Sequence, residues 1–454
     1  MIREIVSASD FEKCLQVVEG ALENRARALE DGDTAAAAMA ESHGLGPADL
    51  RDALNAIRDL RAQGTPPASG SDAAWIARDP MTGVLQSAIE EFYRDAGAVD
   101  ETAAQGLAGQ DVAITDRSLK AEWQPAGPQG FARPFEMTDP RWAVAFLAAK
   151  ALAAMRGQRP FPTAPPPTVR IGNRARVLLV GDWGSGVPRA QKVAARMRRE
   201  LEAAQDPERH VIHLGDVYYS GFESEYRDRF LPFWPVKESE ADAIGSFCLN
   251  ANHDMFTGGH AYFDYLLKEP RFARQGGCSY FSLENDHWQI LALDTGYDAQ
   301  DYRGEKGSLY GPQAAWVREK RAAAPQKKAV LLSHHQLFSA WEGGSPELER
   351  KLQPVLSQPN GVTAWFWAHE HRCAIYDRNH PVPYARLVGH GGVPVYAPKG
   401  PTPPGVVHEF RETFRDGLER FTRFGFAVLD FEDGSIRARY ISEDGLEHYS
   451  ETIC

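Results

Sequence analysis

Five short apolar runs of this sequence each end in a side chain that can bind a metal ion. The residues at these ends are Asp182, Asp216, Asn252, His334 and His369. Aspartate, asparagine and histidine offer the oxygen and nitrogen ligands that suit divalent and trivalent metals of intermediate hardness. Because ligands gather at the carboxyl ends of strands in an α/β sheet, these five side chains are expected to meet in one crevice. The pattern therefore predicts a metal centre, and with it chemistry that depends on a bound ion.

These side chains belong to five motifs that occur in a fixed order. The motifs are GDWG at 181–184, GDVYY at 215–219, NHD at 252–254, SHH at 333–335 and AHEH at 368–371. Each motif alone is common, whereas five in order, each after a predicted strand, are specific. The set resembles the calcineurin-like metallophosphoesterase superfamily, whose motifs are D-x-[HG], G-D, G-N-H-[DE], a lone histidine and G-H-x-H. The resemblance covers roughly residues 174–395.

The first motif departs from most of that superfamily, in which a histidine lies two residues after the first aspartate. Gly184 occupies this position here. The purple acid phosphatases fill the same gap with the tyrosine of G-D-x-x-Y, and Tyr219 matches that tyrosine. The resemblance therefore implies that Tyr219 is a phenolate ligand. The alternative is a buried tyrosine whose hydroxyl group is hydrogen-bonded.

The resemblance also assigns the ligands to two metal ions. The first ion would be held by Asp182, Asp216, Tyr219 and His371. The second ion would be held by Asp216, Asn252, His334 and His369, with Asp216 as the bridge. Because a tyrosinate adds one negative charge to the two carboxylates, a trivalent ion at the first site restores the net charge that two divalent ions usually give. We expect Fe(III) there, with Fe(II), Zn(II) or Mn(II) at the second site.

We expect the reaction to be hydrolysis of a phosphate monoester, and the net charge of −12 favours a small molecule over a long nucleic acid as the substrate. Two ions about 3.5–4 Å apart lower the pKa of a bound water, and the metal-bound hydroxide then attacks phosphorus in line. By resemblance, His253 stabilises or protonates the leaving oxygen, and Asp216 takes part in catalysis as the bridging ligand. These two residues are the predicted catalytic residues.

Two other functions stay open at this point. A phosphodiesterase acting on a cyclic nucleotide or another diester would use the same centre. A metal-binding interaction or regulatory module without turnover is the second alternative, but such a module has no need of His253, which is not a ligand. The phosphoserine phosphatases carry G-D-x-x-D-R-G at the second motif, whereas this chain has GDVYYSG at 215–221, which argues against that class.

Further polar residues near the motifs could take part in the site. His335 follows the first histidine of its motif and could replace it as a ligand, although the superfamily usually uses the first of such a pair. His260 and His390 lie on glycine-rich loops, where a packing role competes with contact to the substrate. Arg372 is either a phosphate-binding residue or an ordinary surface arginine. His213 lies inside a predicted strand and is expected to be a core histidine.

Short buried strands that alternate with helices must position these residues. This alternation of strands and helices begins near residue 174 and predicts an α/β domain. The resemblance implies that the domain is a two-sheet sandwich flanked by helices. Two glycines of the family motifs are replaced by Ala251 and Ala368. Each alanine would displace a ligand if the backbone there needed a positive φ.

The chain divides into two parts of different composition. Residues 1–156 are rich in alanine and show helical spacing of apolar residues, which predicts an all-α N-terminal domain. Residues 157–173 form a Pro-rich linker, and residues 174–454 form the calcineurin-like metallophosphoesterase domain. The helical part carries no recognisable chemistry, so both a cap over its neighbour and a regulatory module fit it.

Composition restricts the partners and the compartment of this 454-residue chain. A net charge of −12 disfavours nucleic acid as a partner, although a local basic groove is compatible with it. No signal-like segment and no run of roughly 18 apolar residues occurs, so we expect a cytoplasmic protein that does not span a membrane. The five cysteines are scattered without a C-x-x-C pair, which favours buried thiols over disulfides or a thiolate zinc site. The sequence does not predict the oligomeric state.

Overall fold

The computed structural model describes most of the chain from residue 157 to its last residue, apart from several short gaps. It covers residues 157–454 except 187, 205–207, 219–220, 300–306, 359–360, 394, 396, 399 and 417–418, together with Glu19, Glu23, Arg27, Asp31 and Leu54. The all-α domain predicted over 1–156 lies almost wholly outside these residues and stays a prediction. The same holds for Tyr219, the predicted phenolate ligand.

Sixteen strands form the sheets of the described region. They are β1 (Thr168–Arg170), β2 (Arg174–Val180), β3 (Glu208–His213), β4 (Ile244–Cys248), β5 (Phe281–Glu284), β6 (Trp288–Ala292), β7 (Lys328–Leu332), β8 (Ala364–Trp367), β9 (Cys373–Tyr376), β10 (Tyr384–Val388), β11 (Val406–Glu409), β12 (Thr413–Asp416), β13 (Glu419–Thr422), β14 (Gly425–Glu432), β15 (Ser435–Ser442) and β16 (Glu447–Ile453). An eight-stranded sheet has the order β1-β5-β6-β7-β8-β10-β9-β11, and a six-stranded sheet has the order β16-β15-β14-β2-β3-β4. Strands β12 and β13 pair separately.

Each large sheet contains a parallel block whose strands lead into the metal-binding motifs. Strands β2, β3 and β4 pair in parallel in the six-stranded sheet. Strands β6, β7 and β8 do so in the eight-stranded sheet, with β10 parallel to β8. Parallel strands end at the same edge of a sheet, so the motifs that follow them are brought together.

The main core fills the space between the two large sheets. Side chains alternate along a strand, so Val177 and Leu179 of β2 point into this space, where they belong to one apolar cluster with Phe366 of β8. Leu178 and Val180 point to the opposite face. Because both faces of β2 are covered, the strand reads as a continuous apolar run, which is why its position could be predicted.

Helices cover the outer faces of the sheets. The α-helices of the described region are α1 (Pro188–Ala203), α2 (Glu223–Glu225), α3 (Asn252–Met255), α4 (His260–Asp264), α5 (Gln313–Ala323) and α6 (Pro346–Leu356). Short 3-10 turns occupy Leu231–Phe233, Glu238–Glu240, Leu266–Lys268 and Pro270–Gln275, and a π turn occupies Tyr226–Phe230. The apolar stripe of α1, with Val193, Met197 and Leu201, packs on the outer face of the six-stranded sheet as its helical spacing predicts.

The Pro-rich segment 157–173 packs against the sandwich over much of its length. Its strand β1 pairs in parallel with β5 at the edge of the eight-stranded sheet. The ring of Phe161 lies 4.9 Å from that of Tyr297 and 5.8 Å from that of Tyr280, measured between centroids. The extended conformation favoured by consecutive prolines therefore serves to lay the segment along the domain.

The α/β sandwich of two sheets flanked by helices, as inferred from the sequence, is confirmed. In the described part of the chain, no helix is both long and apolar enough to cross a bilayer.

Candidate metal centre

Four of the predicted ligands have a left-handed backbone conformation. The φ angles are 56° at Asp182, 71° at Asp216, 73° at His369 and 50° at His371. The other non-glycine residue with positive φ in the described region is Asp433, in the turn between β14 and β15. Such conformations cost of order 1–3 kcal/mol each and cluster at functional sites, although aspartate and histidine tolerate them better than most residues. At these four residues the left-handed conformation turns the chain away from the preceding strand, so that each side chain points into the crevice.

Asp182, Asp216 and His371 form the first group of ligands. One ligand atom from each of them lies within 4.8 Å of the others. The hydroxyl oxygen of Tyr218 lies among them, 2.7 Å from Asp182 Oδ1, 3.0 Å from Asp216 Oδ2 and 2.8 Å from His371 Nε2. A tyrosine hydroxyl has one proton, so it cannot donate to all of these atoms at once. This crowding of electron-rich atoms is the environment that a cation would stabilise.

His334 and His369 form a second group around the same Asp216. The distance from His334 Nε2 to Asp216 Oδ2 is 3.3 Å, and that from His334 Nε2 to His369 Nδ1 is 3.2 Å. The other ring nitrogen, His334 Nδ1, lies 3.0 Å from the carbonyl oxygen of Leu214 and donates to it in the neutral ring. The lone pair of Nε2 then faces Asp216. A backbone carbonyl that fixes the tautomer in this way is usual for metal-binding histidines.

Asn252 supplies a separate indication that an ion fits here. Its side chain is buried, and its Oδ1 has no hydrogen-bond partner among the described residues. An unpaired buried carbonyl oxygen is costly and uncommon, and it calls for an explanation such as a bound ion. Amide oxygens are accepted metal ligands, so the residues present fit a metal centre.

Burial sets the protonation of the metal-free site. It raises the pKa of Asp182 well above its usual value, and the carboxylate of Asp216 adds to this rise. Burial acts in the same direction on Asp216, but three nearby histidines, His253 first among them, outweigh it and hold its pKa well below the usual value. Burial lowers the pKa of His371 to about 3 and that of His369 well below its usual value. Both imidazoles are therefore uncharged near neutral pH, which is the form that binds metals.

The part of the chain that carries most of these side chains matches a known family. Residues 175–373 match the family model described as calcineurin-like phosphoesterase. This part of the chain is a calcineurin-like phosphoesterase domain. The resemblance drawn from the five motifs is thereby confirmed, and the protein is a phosphoesterase.

Relatives of the phosphoesterase domain include purple acid phosphatases. The chain is 26% identical over 294 residues to tartrate-resistant acid phosphatase type 5 of Homo sapiens, which covers 60% of this chain and 88% of that protein. The corresponding protein of Mus musculus is 27% identical over 253 residues, covering 50% of this chain and 74% of that protein. A more distant likeness, with a TM-score of 0.47 and 12% identity over 62% of this chain and 88% of the other, is to GAP50, the anchor in the inner membrane complex of Plasmodium. At that distance it carries no conclusion about function.

Tyr218 is a residue of the phosphoesterase site that the sequence-based prediction missed. The motif GDVYY contains two adjacent tyrosines, and the resemblance selects the second, Tyr219, which lies outside the described residues. The hydroxyl group of the first, Tyr218, touches Asp182, Asp216 and His371. Burial and these two carboxylates raise the pKa of Tyr218 well above its usual value, so the phenol keeps its proton in the metal-free site. The pair of tyrosines was a visible signal that either one could reach the centre.

Gly184 lies where most phosphoesterases of this superfamily carry a histidine ligand, and the structure explains its presence. A Cβ atom added to Gly184 would lie 2.8 Å from Val217 Cα and 3.0 Å from Val217 Cγ2. Val217 directly follows Asp216, the predicted bridging ligand, so a side chain at residue 184 would push on the backbone that positions Asp216. The departures at Ala251 and Ala368 are harmless by comparison. Neither alanine has a positive φ, and Ala251 is extended at −140°.

His253 lies beside the centre without being one of the predicted ligands. It is buried, its Nε2 is 3.9 Å from Asp216 Oδ2, and its backbone N–H donates to Asp216 Oδ1 at 3.2 Å. Its ring lies 4.7 Å from the rings of Tyr218 and Phe256, measured between centroids. These contacts hold the imidazole of His253 next to the carboxylate of Asp216.

Asp254 is a second residue whose role was not predicted from the sequence. Its carboxylate accepts hydrogen bonds from the backbone N–H of Asp216 at 3.1 Å and of Val217 at 3.3 Å, and the hydroxyl of Tyr226 also donates to it. It therefore fixes the left-handed turn that points Asp216 into the crevice. The acidic last position of the NHD motif was the signal, because a carboxylate there can cap a neighbouring turn.

The remaining candidate side chains lie outside the two ligand groups or at their edge. His335 is close enough to His334 and His369 to share an ion, but its Nδ1 lies 3.0 Å from Thr295 Oγ1. His260 contacts the carbonyl oxygen of Gly157. Arg372 lies 3.6 Å from Glu409 and over the ring of Trp341, which holds it away from the ligands.

Two further histidines, His213 and His390, are buried, and their surroundings differ. His213 packs between Trp183 and Phe230, with its Nδ1 3.4 Å from Cys248 Sγ, and it is a core histidine as predicted. His390 is buried behind the site, next to Gly389, and neither of its ring nitrogens has a partner among the described residues.

Proposed function

We propose that this protein hydrolyses small-molecule phosphate monoesters at a dinuclear metal centre. The observation that carries the proposal is the meeting of two ligand groups at one carboxylate. Asp216 contacts Tyr218 of one group and His334 of the other, while the buried Oδ1 of Asn252 is left without a partner in the described region. A carboxylate shared by two ligand groups is the arrangement that two-metal phosphoesterases use.

The ligands of the proposed centre divide as the family resemblance implies. One ion is held by Asp182, Asp216, His371 and a tyrosine, and the other by Asp216, Asn252, His334 and His369. When bound, the two ions supply a nucleophile at neutral pH and positive charge beside the reacting phosphoryl group. The chain itself holds the uncharged imidazoles in place, excludes bulk water by burying them and keeps the bridging carboxylate ionised.

His253 is proposed to stabilise or protonate the leaving oxygen. We expect His253→Ala to lower the turnover number by roughly 10²–10⁴-fold, the usual contribution of a general acid, while metal content stays unchanged. Turnover and bound metal would be measured on the same preparation. His260→Ala, which alters a histidine bonded to the carbonyl of Gly157, is the matched control and should keep full activity. An unchanged turnover number in His253→Ala would remove this residue from the mechanism.

The metal pair is proposed to be Fe(III) at the tyrosine-containing site with Fe(II), Zn(II) or Mn(II) at the other. A phenolate bound to Fe(III) should give visible colour. The geometry favours Tyr218 as its source and the family motif favours Tyr219, so both variants are needed. We expect Tyr218→Phe to lose the visible absorption of the iron-loaded protein and Tyr219→Phe to keep it. The reverse result would return the ligand to Tyr219, and a colourless, iron-free, fully active protein would exclude the iron hypothesis.

The first test of the function is a comparison of two chromogenic esters. Initial rates on p-nitrophenyl phosphate and bis(p-nitrophenyl) phosphate would be measured with added iron, manganese or zinc, and Asp216→Asn would serve as the blank. We expect metal-dependent turnover that is absent from the blank and faster on the monoester. Faster turnover of the diester would indicate that the protein is a phosphodiesterase and not a phosphomonoesterase. Absence of turnover with metal bound would favour a metal-binding regulatory module instead.

Residues 1–156 are proposed to form a helical domain, which the Pro-rich linker at 157–173 joins to the phosphoesterase domain at 174–454. Glu19, Glu23, Arg27 and Leu54 are helical, in agreement with the alanine-rich helical pattern around them. We also propose that the protein acts in the cytoplasm. Its net charge of −12 favours small esters over nucleic acid as its substrates.

A further inference from the structure

A second group of metal-binding side chains lies where the edges of the two large sheets meet. Cys373 begins β9, His390 follows β10 by two residues and His448 lies in β16. The sulfur of Cys373 and one ring nitrogen of each histidine lie within 4.8 Å of one another. Strands β9 and β10 belong to the eight-stranded sheet and β16 to the six-stranded sheet, so the three residues bridge the sandwich.

The histidines of this group carry unpaired nitrogens in a buried place. His390 is 1% exposed, and neither of its ring nitrogens has a hydrogen-bond partner within the described region. The same holds for the buried Nε2 of His448. A buried polar atom without a partner costs about 1–3 kcal/mol, so such atoms are rarely kept without a reason. These unpaired imidazole nitrogens beside a thiol are explained if the two rings bind an ion.

His408 orients His448 toward the group. The distance from His408 Nε2 to His448 Nδ1 is 3.1 Å, so the N–H at Nδ1 can donate to His408 and leave the lone pair of Nε2 for an ion. The ring of His448 is stacked on Phe410, with centroids 4.0 Å apart. Burial lowers the pKa of His448 to about 3, so its imidazole is uncharged. Support of this kind from a neighbouring acceptor is typical of metal-binding histidines.

We propose that Cys373, His390 and His448 form a third metal site, of the class that binds Zn(II). One thiolate and two imidazoles are the ligand types that zinc prefers, and three protein ligands leave one tetrahedral position for water. Binding releases the thiol proton of Cys373 to solvent, since the thiolate is the ligand. The proposal differs from the expectation that the scattered cysteines are buried thiols and do not form a thiolate zinc site. It does not depend on the proposed phosphatase activity.

Cobalt(II) tests this site because a cysteine ligand gives it a distinctive thiolate-to-metal charge-transfer absorption. The proposed dinuclear centre contains no cysteine and cannot produce that band. The full chain would be titrated with cobalt(II), both as wild type and as Asp216→Asn, which disables the dinuclear centre. We expect the band in both proteins, at one cobalt–thiolate site per chain.

Variants identify the thiolate and the imidazoles. Cys373→Ser should lose the band entirely. Cys278→Ser, which changes another buried cysteine whose Sγ faces the carbonyl of Ala164, is the matched control and should keep it. His448→Gln alters a less buried ligand and should weaken cobalt binding by at least about tenfold, as loss of metal-site residues commonly does. Circular dichroism would verify folding of each variant.

Three results would overturn the proposal. One is a folded wild-type protein without the cobalt–thiolate band. Another is a band that persists in Cys373→Ser, which would assign the thiolate to a different cysteine, such as the exposed Cys454. The third concerns His448→Gln, which provides the test if Cys373→Ser does not fold. Unchanged cobalt affinity in His448→Gln would overturn the proposal.

Discussion

Asp216→Asn is expected to lower phosphatase turnover by roughly 10³-fold, at the upper end of the effect of removing one group that stabilises a transition state electrostatically. The exchange preserves shape but removes the negative charge shared by both ligand groups. Added metal should raise the melting temperature of the wild type and leave that of the variant unchanged, since only a protein that binds the ions gains their stabilisation.

Asp264→Asn is the matched control for this experiment. Asp264 lies outside the five motifs, in a surface ion pair with Arg159 at 3.2 Å, so its loss should change neither turnover nor the response to metal. Turnover of Asp216→Asn within about tenfold of the wild type would contradict a bridging role for this carboxylate.

Gly184→His should inactivate the enzyme instead of restoring the ligand that most of the superfamily has at this position. The new Cβ would lie 2.8 Å from Val217 Cα, and a backbone atom cannot yield without moving the adjacent Asp216. A displacement of about 1 Å at a reacting centre can cost about 10²-fold in rate, and overpacking costs about 1–3 kcal/mol of stability. Turnover, metal content and melting temperature should all fall.

Gly434→His separates this local clash from a general effect of histidine at a glycine position. A Cβ at Gly434 would meet nothing within 4 Å, so activity should be kept. If Gly184→His bound metal more tightly and stayed active, the Asp216–Val217 backbone would have to be adjustable, and the need for a tyrosine ligand would disappear.

Much of the fold could be predicted because its strands are buried on both faces. Strands β2 and β7 contain the apolar runs VLLV and AVLL, each followed by a polar predicted ligand, and this pattern can be recognised from the sequence alone. The short strand β1 was hidden within a Pro-rich segment. Its position is set by pairing with β5, a contact more than 110 residues away along the chain that local pattern does not report.

The site was predictable in its residue types and less so in its geometry. The meeting of Asp216 with His334 follows from where their strands end. The inward position of Tyr218 depends on the backbone path after Asp216, and Asp254 sets that path through two hydrogen bonds that sequence spacing does not show. The tolerance of alanine at residue 251 likewise depends on its extended φ.

The division of ligands between the two sheets has a consequence for the order of folding. Asp182, Asp216 and Asn252 follow strands of the six-stranded sheet, whereas His334 and His369 follow strands of the eight-stranded sheet. Neither sheet alone carries a complete site, and the contacts that complete it join residues more than 100 positions apart. Such distant contacts form slowly, and a metal site absent from the unfolded chain couples ion binding to folding. We therefore expect the two ions to bind last, only after the two sheets have docked correctly against each other.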